Sequence, residues 1–353
     1  MKELESLIET IGLEKMCDVA ERQGLSALFL DTVQNDKELS ASIVSSSELK
    51  QRMLNMLGTS LQLECQYAKY EAAVKRLSAF ATECGLKLVV LKGYGLSMNY
   101  PVPAHRPCGD IDVYVISPVE NLCGYRSLDE AVKLKLGITV DESSRHHSRF
   151  AFMGFMVENH ITVMDPDSHK EYKELNKLLA EEVRNGVREA NGVLLPSLRF
   201  YSIHLLAHMA GDFVSIGTDL RRLLDWVTFV NKAHASGGVD WNFVFSTAKR
   251  FGMLSFLNSI NDICVRYLGC SKELFPVRCE AKKMLSFIRL SDRVFADLTA
   301  YHDPVLLPSQ TNIFNYAWVK GMLFIKNRWK YNMVYKESAW KTMIRKGLNS
   351  IRG

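Results

Sequence analysis

The stretch LKGYGLSMNYPVPAHRPCGDIDVYV, residues 91–115, predicts two β-strands joined through a turn and a proline-rich loop. The first strand ends in a Lys-Gly pair, and a glycine at that point fits a tight turn into a following helix. The second strand begins at Asp110 and alternates polar with apolar residues. Because side chains alternate across a strand, Asp110 and Asp112 share one face, while Ile111 and Val113 share the other. Two carboxylates held this close repel each other, so the pattern favours a site that binds a cation.

Magnesium is the cation that this pair of aspartates predicts first. It prefers hard oxygen ligands and is usually completed by water and substrate phosphates; manganese is the alternative. Two such ions can assist in-line phosphoryl transfer by activating the attacking oxygen and stabilising the leaving one. An Asp-x-Asp pair alone is a weak pattern that also occurs by chance on surface strands, so its surroundings decide.

Those surroundings supply a phosphate-binding turn and a third acid. Lys92 and Gly93 precede a predicted helix start, where phosphate can approach backbone N–H groups; an ordinary exposed lysine is the alternative reading of Lys92. Downstream, two strand-like runs around Gly154 predict a hairpin. On its second strand Glu158 and His160 share a face, and Glu158 would complete the metal cluster or act as a base. The rival acids Asp165 and Asp167 flank Pro166 and have the composition of a turn.

Other candidate residues have plain structural alternatives. His204 and His208 lie four residues apart on one predicted helix face, which suits a metal pair, but the sequence offers no obvious third ligand and buried, hydrogen-bonded histidines are the simpler interpretation. The segment SSRHHSRF, residues 143–150, predicts a polar loop, with phosphate contact as the alternative. No Gly-x-Ser-x-Gly or Walker-type glycine motif occurs.

The order LKG, then YP, then RxxGDID resembles the bacterial nucleotidyltransferase 5 group of the DNA polymerase β-like superfamily. The resemblance spans about residues 85–230 and implies an α+β fold with a small mixed-sheet core. It implies that Asp110, Asp112 and Glu158 are catalytic metal ligands, with Glu158 as the third acid. This sequence differs from most of the superfamily in one respect, because Lys92-Gly93 stands where a Gly-Ser pair is usual.

The same resemblance suggests the residues that contact substrate. Arg106 matches the group's arginine and would bind a phosphate, unless it forms a salt bridge to one of the aspartates. Gly109 would supply a tight backbone at the entry to the strand. His160, His208 and Arg221 are weaker candidates for substrate contact.

Composition and periodicity indicate the class of protein and its domain organisation. The chain has 353 residues, a net charge of +5 and eight scattered cysteines without a Cys-x-x-Cys pair, which favours a globular protein with reduced thiols and no zinc site. No apolar run is long enough to span a membrane, and the N-terminus is unlike a secretory signal, so we expect a cytoplasmic protein. Helical periodicity at both ends predicts an N-terminal helical segment (1–80) and a C-terminal helical domain (196–353) around a small α/β core (81–195). The resemblance implies that this middle segment is the nucleotidyltransferase core.

The predicted reaction is magnesium-dependent transfer of a nucleoside monophosphate from an NTP, ATP being the first choice, to an unidentified hydroxyl of a small molecule, sugar or protein. A catalytically inactive nucleotide- or polyanion-binding protein on the same fold is the alternative. Nucleic acid is a further candidate partner, because residues 320–353 contain nine Lys or Arg and one acid. A solvated helix face is the simpler interpretation of those charges.

Overall fold

A computed structural model describes residues 12–44, 46–116, 124–166, 169–215, 217–299 and 313–342. Within these ranges the chain forms helices and one six-stranded mixed sheet, so the predicted α+β class is confirmed. None of the helices in the described ranges is both long and apolar enough to cross a membrane.

The chain divides into two compact units by its own packing. The first comprises residues 1–142, 148–159 and 189–195, and the second comprises residues 143–147, 160–188 and 196–353. The three-segment division at residues 80 and 195 stays a prediction.

The first unit contains six α-helices among its described residues; a 3₁₀ turn, Pro103–His105, follows the fifth, and a π-helical turn, Val132–Leu136, follows the sixth. The helices are α1 (Leu13–Arg22), α2 (Ser26–Asn35), α3 (Lys37–Val44), α4 (Ser47–Glu83), α5 (Tyr94–Ser97) and α6 (Gly124–Ala131). The sequence predicts a long helix that is capped by Ser47 and stops at Gly85, and α4 confirms that helix. Its N-cap is Ser46, whose hydroxyl accepts a hydrogen bond from the Leu49 N–H at 3.3 Å, one residue earlier than expected.

The six strands are β1 (Lys87–Val90), β2 (Ile111–Ile116), β3 (His147–Phe152), β4 (Phe155–His160), β5 (Val187–Ala190) and β6 (Val193–Pro196). Their order in the sheet is β3-β4-β2-β1-β6-β5. Strand β1 pairs antiparallel with β2 and parallel with β6, and β2 pairs parallel with β4. Apolar residues of these strands, with those of α4 and α6, form one buried cluster. The opposite face of β2 and β4 carries the acidic residues.

Two hairpins form the ends of this sheet. The predicted hairpin around Gly154 is confirmed, with Met153 and Gly154 at positive φ in a two-residue turn. The hairpin β5–β6 turns at Asn191-Gly192, also at positive φ, and was not predicted. Asn-Gly is the strongest short sequence signal for such a turn, because both residues adopt positive φ readily.

The second unit is mainly helical in its described part, as the pattern after Pro196 predicts. Its helices are α7 (Tyr172–Asn185), α8 (Leu198–Ser215), α9 (Leu220–His234), α10 (Trp241–Phe251), α11 (Leu254–Leu268), α12 (Met284–Thr299) and α13 (Ile313–Val334). Glycine and proline residues predict helix breaks at Gly237-Gly238, at Pro276 and in the Pro304–Pro308 stretch. The first falls between α9 and α10, and the second falls between α11 and α12. The predicted break in the Pro304–Pro308 stretch lies outside the described residues.

Candidate active site

Strand pairing places the two acids of the predicted cluster side by side. Asp112 of β2 and Glu158 of β4 are partners in the parallel register, with Ile111 opposite Val157 on the preceding pair. Because neighbouring residues alternate across the sheet, both carboxylates lie on the face opposite the buried cluster. Forty-five residues of sequence separate them, so the pairing of the strands creates their proximity.

His160, the last residue of β4, joins these carboxylates. It lies two residues beyond Glu158 and therefore on the same face of the strand. Asp112, Glu158 and His160 each offer a ligand atom, and these atoms lie within 4.8 Å of one another. Asp112 and His160 are buried, and the Glu158 side chain is 15% exposed. Two oxygen donors and one nitrogen donor at this spacing form a group that can hold a divalent metal ion.

Each carboxylate also contacts a cationic side chain. Lys92 Nζ lies 3.1 Å from Asp112 Oδ1. Arg149 of β3 donates to Glu158 Oε1 through Nη2 at 2.7 Å and through Nε at 3.0 Å. The Lys92 side chain is 32% exposed, so Lys92 is neither an isolated surface lysine nor a buried one.

Asp110 stands apart from the tight group. It precedes β2 and is exposed, although it shares the alternation of Asp112 as predicted. Desolvation, and then the neighbouring charges of Glu158 and Asp112, raise the pKa of Asp110 above its ordinary value. The three acids therefore share one electrostatic environment, with Asp110 at its solvent side.

The turn after β1 is built against α4. A Cβ atom on Gly93, whose φ is +68°, would lie 2.4 Å from Tyr70 Oη. The same hydroxyl donates a hydrogen bond to the Asp110 carbonyl at 3.2 Å. Gly93 is buried and the helix that follows, α5, has a single turn. The first reason for glycine here is therefore its contact with Tyr70, and a phosphate-binding role for the turn stays a prediction.

Two other residues of the quoted stretch, Arg106 and Gly109, lie in the loop before β2. The Arg106 guanidinium donates to the Pro107 carbonyl at 3.3 Å and lies 3.5 Å from Cys108 Sγ. Its contact with phosphate stays a prediction. A Cβ on Gly109 would meet nothing within 4 Å, and the φ of Gly109 is outside the left-handed region. The sequence predicts a tight backbone at this strand entry, but neither packing nor backbone conformation requires glycine there.

The candidates of the second unit are engaged in ion pairs there. His208 Nδ1 lies 3.0 Å from Asp212 Oδ2, and Arg222 pairs with the same carboxylate. These contacts outweigh burial and lower the pKa of Asp212. Arg221 lies 3.8 Å from Asp219. His204 is buried, and its ring centroid lies 5.0 Å from that of Phe200. The burial fits the structural interpretation of this histidine, and its hydrogen bonding stays a prediction.

The predicted polar loop at 143–150 is half wrong, because β3 begins at His147 and Arg149 lies within the strand. Asp165 is exposed in the irregular segment after β4, as its turn composition suggests. Its neighbour Asp167 lies outside the described residues.

The basic C-terminal segment is partly a structural element. Lys330 of α13 is 4% exposed in its side chain and lies 2.5 Å from Asp297 of α12. It therefore serves the packing of the second unit, whereas Lys326, Arg328 and Lys336 are exposed. Residues 345, 346 and 352, also counted in the basic segment, lie outside the described part of the chain.

Sequence reasoning missed Tyr70 and Arg149. Tyr70 has no local signal, since it lies forty residues before Asp110 in an unremarkable stretch of a long helix. Arg149 had one: a two-residue turn at 153–154 sets residue 152 opposite 155, and therefore Arg149 opposite Glu158.

Comparison with known families identifies the family of the chain. A family model described as an uncharacterised nucleotidyltransferase matches residues 9–269. The match covers well over half of the chain, so the protein belongs to this nucleotidyltransferase family, and the resemblance based on the LKG and GDID motifs is confirmed. No curated protein and no solved structure matches the chain.

Proposed function

We propose that the protein is a metal-dependent nucleotidyltransferase that moves a nucleoside monophosphate from an NTP to an acceptor hydroxyl and releases pyrophosphate. The observation that carries the proposal is the register that sets Asp112 beside Glu158, with His160 completing three donors within 4.8 Å. The family membership supports the same reaction class.

The donor set fits a divalent ion by its chemistry. Asp112, Glu158 and His160 would hold it, and the proposal keeps Asp110, whose pKa the charges of Glu158 and Asp112 raise, as a further oxygen ligand. A bound Mg²⁺ or Mn²⁺ would supply charge for the triphosphate and for the attacking oxygen.

The remaining residues act on the nucleotide and on the proton. Lys92, at the start of the turn, would bind a phosphate oxygen as a point charge. Gly93 and Arg106, which lie between β1 and β2, would also contact phosphate. The bond formed joins the acceptor oxygen to the α-phosphorus, and the bond broken frees pyrophosphate. Glu158 either completes the ligand set or accepts the hydroxyl proton; loss of metal binding in Glu158→Gln assigns it as a ligand.

Incubation with each of the four α-labelled NTPs and Mg²⁺ or Mn²⁺ tests the proposal. Label should pass to the protein or to an added metabolite, with pyrophosphate release, and mass analysis then identifies the acceptor. ATP is the first nucleotide to try. Asp112→Asn and Glu158→Gln should each lower turnover by about 100-fold or more, because each removes a charge from the reacting centre.

Glu83→Gln, at the exposed end of α4, is the matched control and should retain wild-type turnover. Unchanged turnover in both Asp112→Asn and Glu158→Gln would rule out the mechanism.

A nucleotide-binding protein without catalysis is the second candidate, and one contact favours it. Lys92-Gly93 stands in place of the Gly-Ser pair usual in the superfamily, and Lys92 Nζ forms a salt bridge to Asp112 Oδ1 at 3.1 Å. Calorimetry distinguishes the two functions, because metal-dependent NTP binding without any product would support the binding protein.

A further inference from the structure

The site contains two cationic side chains placed on the same carboxylates that the proposed metal would need. Lys92 contacts Asp112, and Arg149 contacts Glu158 through two nitrogen atoms. The acids are the buried partners, with side chains 3% and 15% exposed. The cations are the accessible partners, at 32% for Lys92 and 47% for Arg149.

This asymmetry determines which groups can move. Asp112 and Glu158 are fixed by the paired backbones of β2 and β4, and their short side chains leave little freedom. Lys92 and Arg149 carry their charges on long flexible stems that are partly in solvent. A divalent ion next to these carboxylates would repel both cationic groups, so they are the groups that would be displaced.

We infer that Arg149 is a phosphate-binding residue that Glu158 holds in place until a metal-bound nucleotide arrives. The inference rests on the proposed function, because it requires a nucleotide at this site. A guanidinium displaced from Glu158 by a divalent ion needs another anion, and the triphosphate provides one in the geometry that Arg binds best. Lys92 makes the same exchange from Asp112, so two positive charges leave the carboxylates as the metal–nucleotide complex binds.

The exchange predicts effects of opposite sign on two affinities. Without nucleotide, Arg149 competes with the metal for Glu158, so Arg149→Gln should bind the bare ion more tightly. With nucleotide, Arg149 contributes a charged hydrogen bond to phosphate, so the same substitution should weaken metal–nucleotide binding by about tenfold or more. If the Arg149–Glu158 ion pair were purely structural, Arg149→Gln would not change the two affinities in opposite directions.

The experiment measures both constants on the full chain. Electron paramagnetic resonance follows binding of Mn²⁺ alone, and calorimetry follows binding of a non-hydrolysable NTP analogue in saturating Mn²⁺. The variants are Arg149→Gln and Arg149→Lys, with Arg76→Gln as the control, since Arg76 pairs with Glu83 in an exposed salt bridge of the same unit. Thermal unfolding confirms that each variant is folded.

We expect tighter Mn²⁺ binding and weaker analogue binding for Arg149→Gln, near wild-type constants for Arg76→Gln, and values nearer wild type for Arg149→Lys, which keeps the charge. If the wild type binds the analogue and Arg149→Gln changes neither constant, or both in one direction, the inference alone is wrong. If the wild type binds Mn²⁺ but no analogue, the proposed function and the inference both fail.

Discussion

The Tyr70 side chain connects the turn after β1, at Gly93, with the entry to β2, at Asp110. Its hydroxyl donates to the Asp110 carbonyl at the entry to β2 and leaves no room for a Cβ at Gly93. Its ring is fully buried and meets that of Phe155, at the start of β4, edge to face with centroids 5.3 Å apart. Burial strongly raises the pKa of Tyr70, so its phenol stays a protonated donor throughout the working range of pH.

Gly93→Ala should lower the free energy of unfolding by about 2–4 kcal/mol, through the contact with Tyr70 and the strain of positive φ. In a Tyr70→Phe background the same change should cost less, because the hydroxyl that it meets is gone. Urea unfolding of the four proteins measures this coupling. Gly58→Ala in the exposed middle of α4, where a Cβ meets nothing within 4 Å, should instead be stabilising. Equal costs of Gly93→Ala in both backgrounds would contradict the clash.

His160 gives the donor set a nitrogen atom, which a cluster of carboxylates alone would lack. Mn²⁺ bound to the wild type should therefore show magnetic coupling to an imidazole nitrogen by pulsed electron paramagnetic resonance. The coupling should disappear in His160→Gln and remain in His234→Gln, which changes an exposed histidine at the end of α9. Absence of the coupling in the wild type would exclude His160 as a ligand.

At the scale of elements, the sequence predicts those features that depend on local patterns. Helix α4, strand β1 and the hairpin β3–β4 follow from periodicity, capping and turn residues. The alternation from Asp110 correctly predicts the face of β2 that carries the acids. The neighbours of each strand do not follow in this way, because the parallel pairing of β2 with β4 depends on packing between distant segments. The contact between Tyr70 and Gly93 is equally non-local.

The 3₁₀ turn before β2 is tied to two helices by His105. Its Nδ1 lies 2.6 Å from Asp31 of α2, and its Nε2 lies 3.0 Å from Glu64 of α4. Both nitrogen atoms can donate at once only in the imidazolium form. Burial lowers the pKa of His105, but hydrogen bonds and charges of the two acids outweigh it and raise the pKa above 6.5.

A raised pKa in the folded state means that this histidine stabilises the protein when it is protonated. The stabilisation should be complete below a pH of about 6.5 and should disappear as pH rises through the higher folded-state pKa. The melting temperature of the wild type relative to His105→Gln should therefore differ most near pH 6 and converge in mildly alkaline buffer. A difference that grows with pH would contradict the charged state assigned to His105.

At the scale of the whole molecule, the basic C-terminal segment contains both buried and exposed basic residues. Lys330 is buried, pairs with Asp297 and lies 4.8 Å from the ring centroid of Phe213. Truncation after residue 319, the obvious test of polyanion binding, would remove this pair and disturb the second unit itself. Substitution of the exposed Lys326, Arg328 and Lys336 tests binding without that side effect.

Lys330→Gln should lower the free energy of unfolding by about 3 kcal/mol, because it leaves Asp297 without the ammonium partner that the fold provides. Lys326→Gln should change it by less than about 0.5 kcal/mol. Chemical denaturation of the two variants gives the comparison, and equal effects would show that the Lys330 pair contributes nothing particular.

The position of β1 in the sheet has a consequence for the biosynthesis of the protein. β1 can pair with β2 soon after both leave the ribosome, but its other edge receives β6 only when residues near Leu194, the partner of Val89, have been synthesised. For about a hundred residues of translation, a short run of Leu and Val has one edge open to other chains. The nascent protein should therefore depend on chaperones most during this interval, and slow translation between β2 and β6 should increase its aggregation.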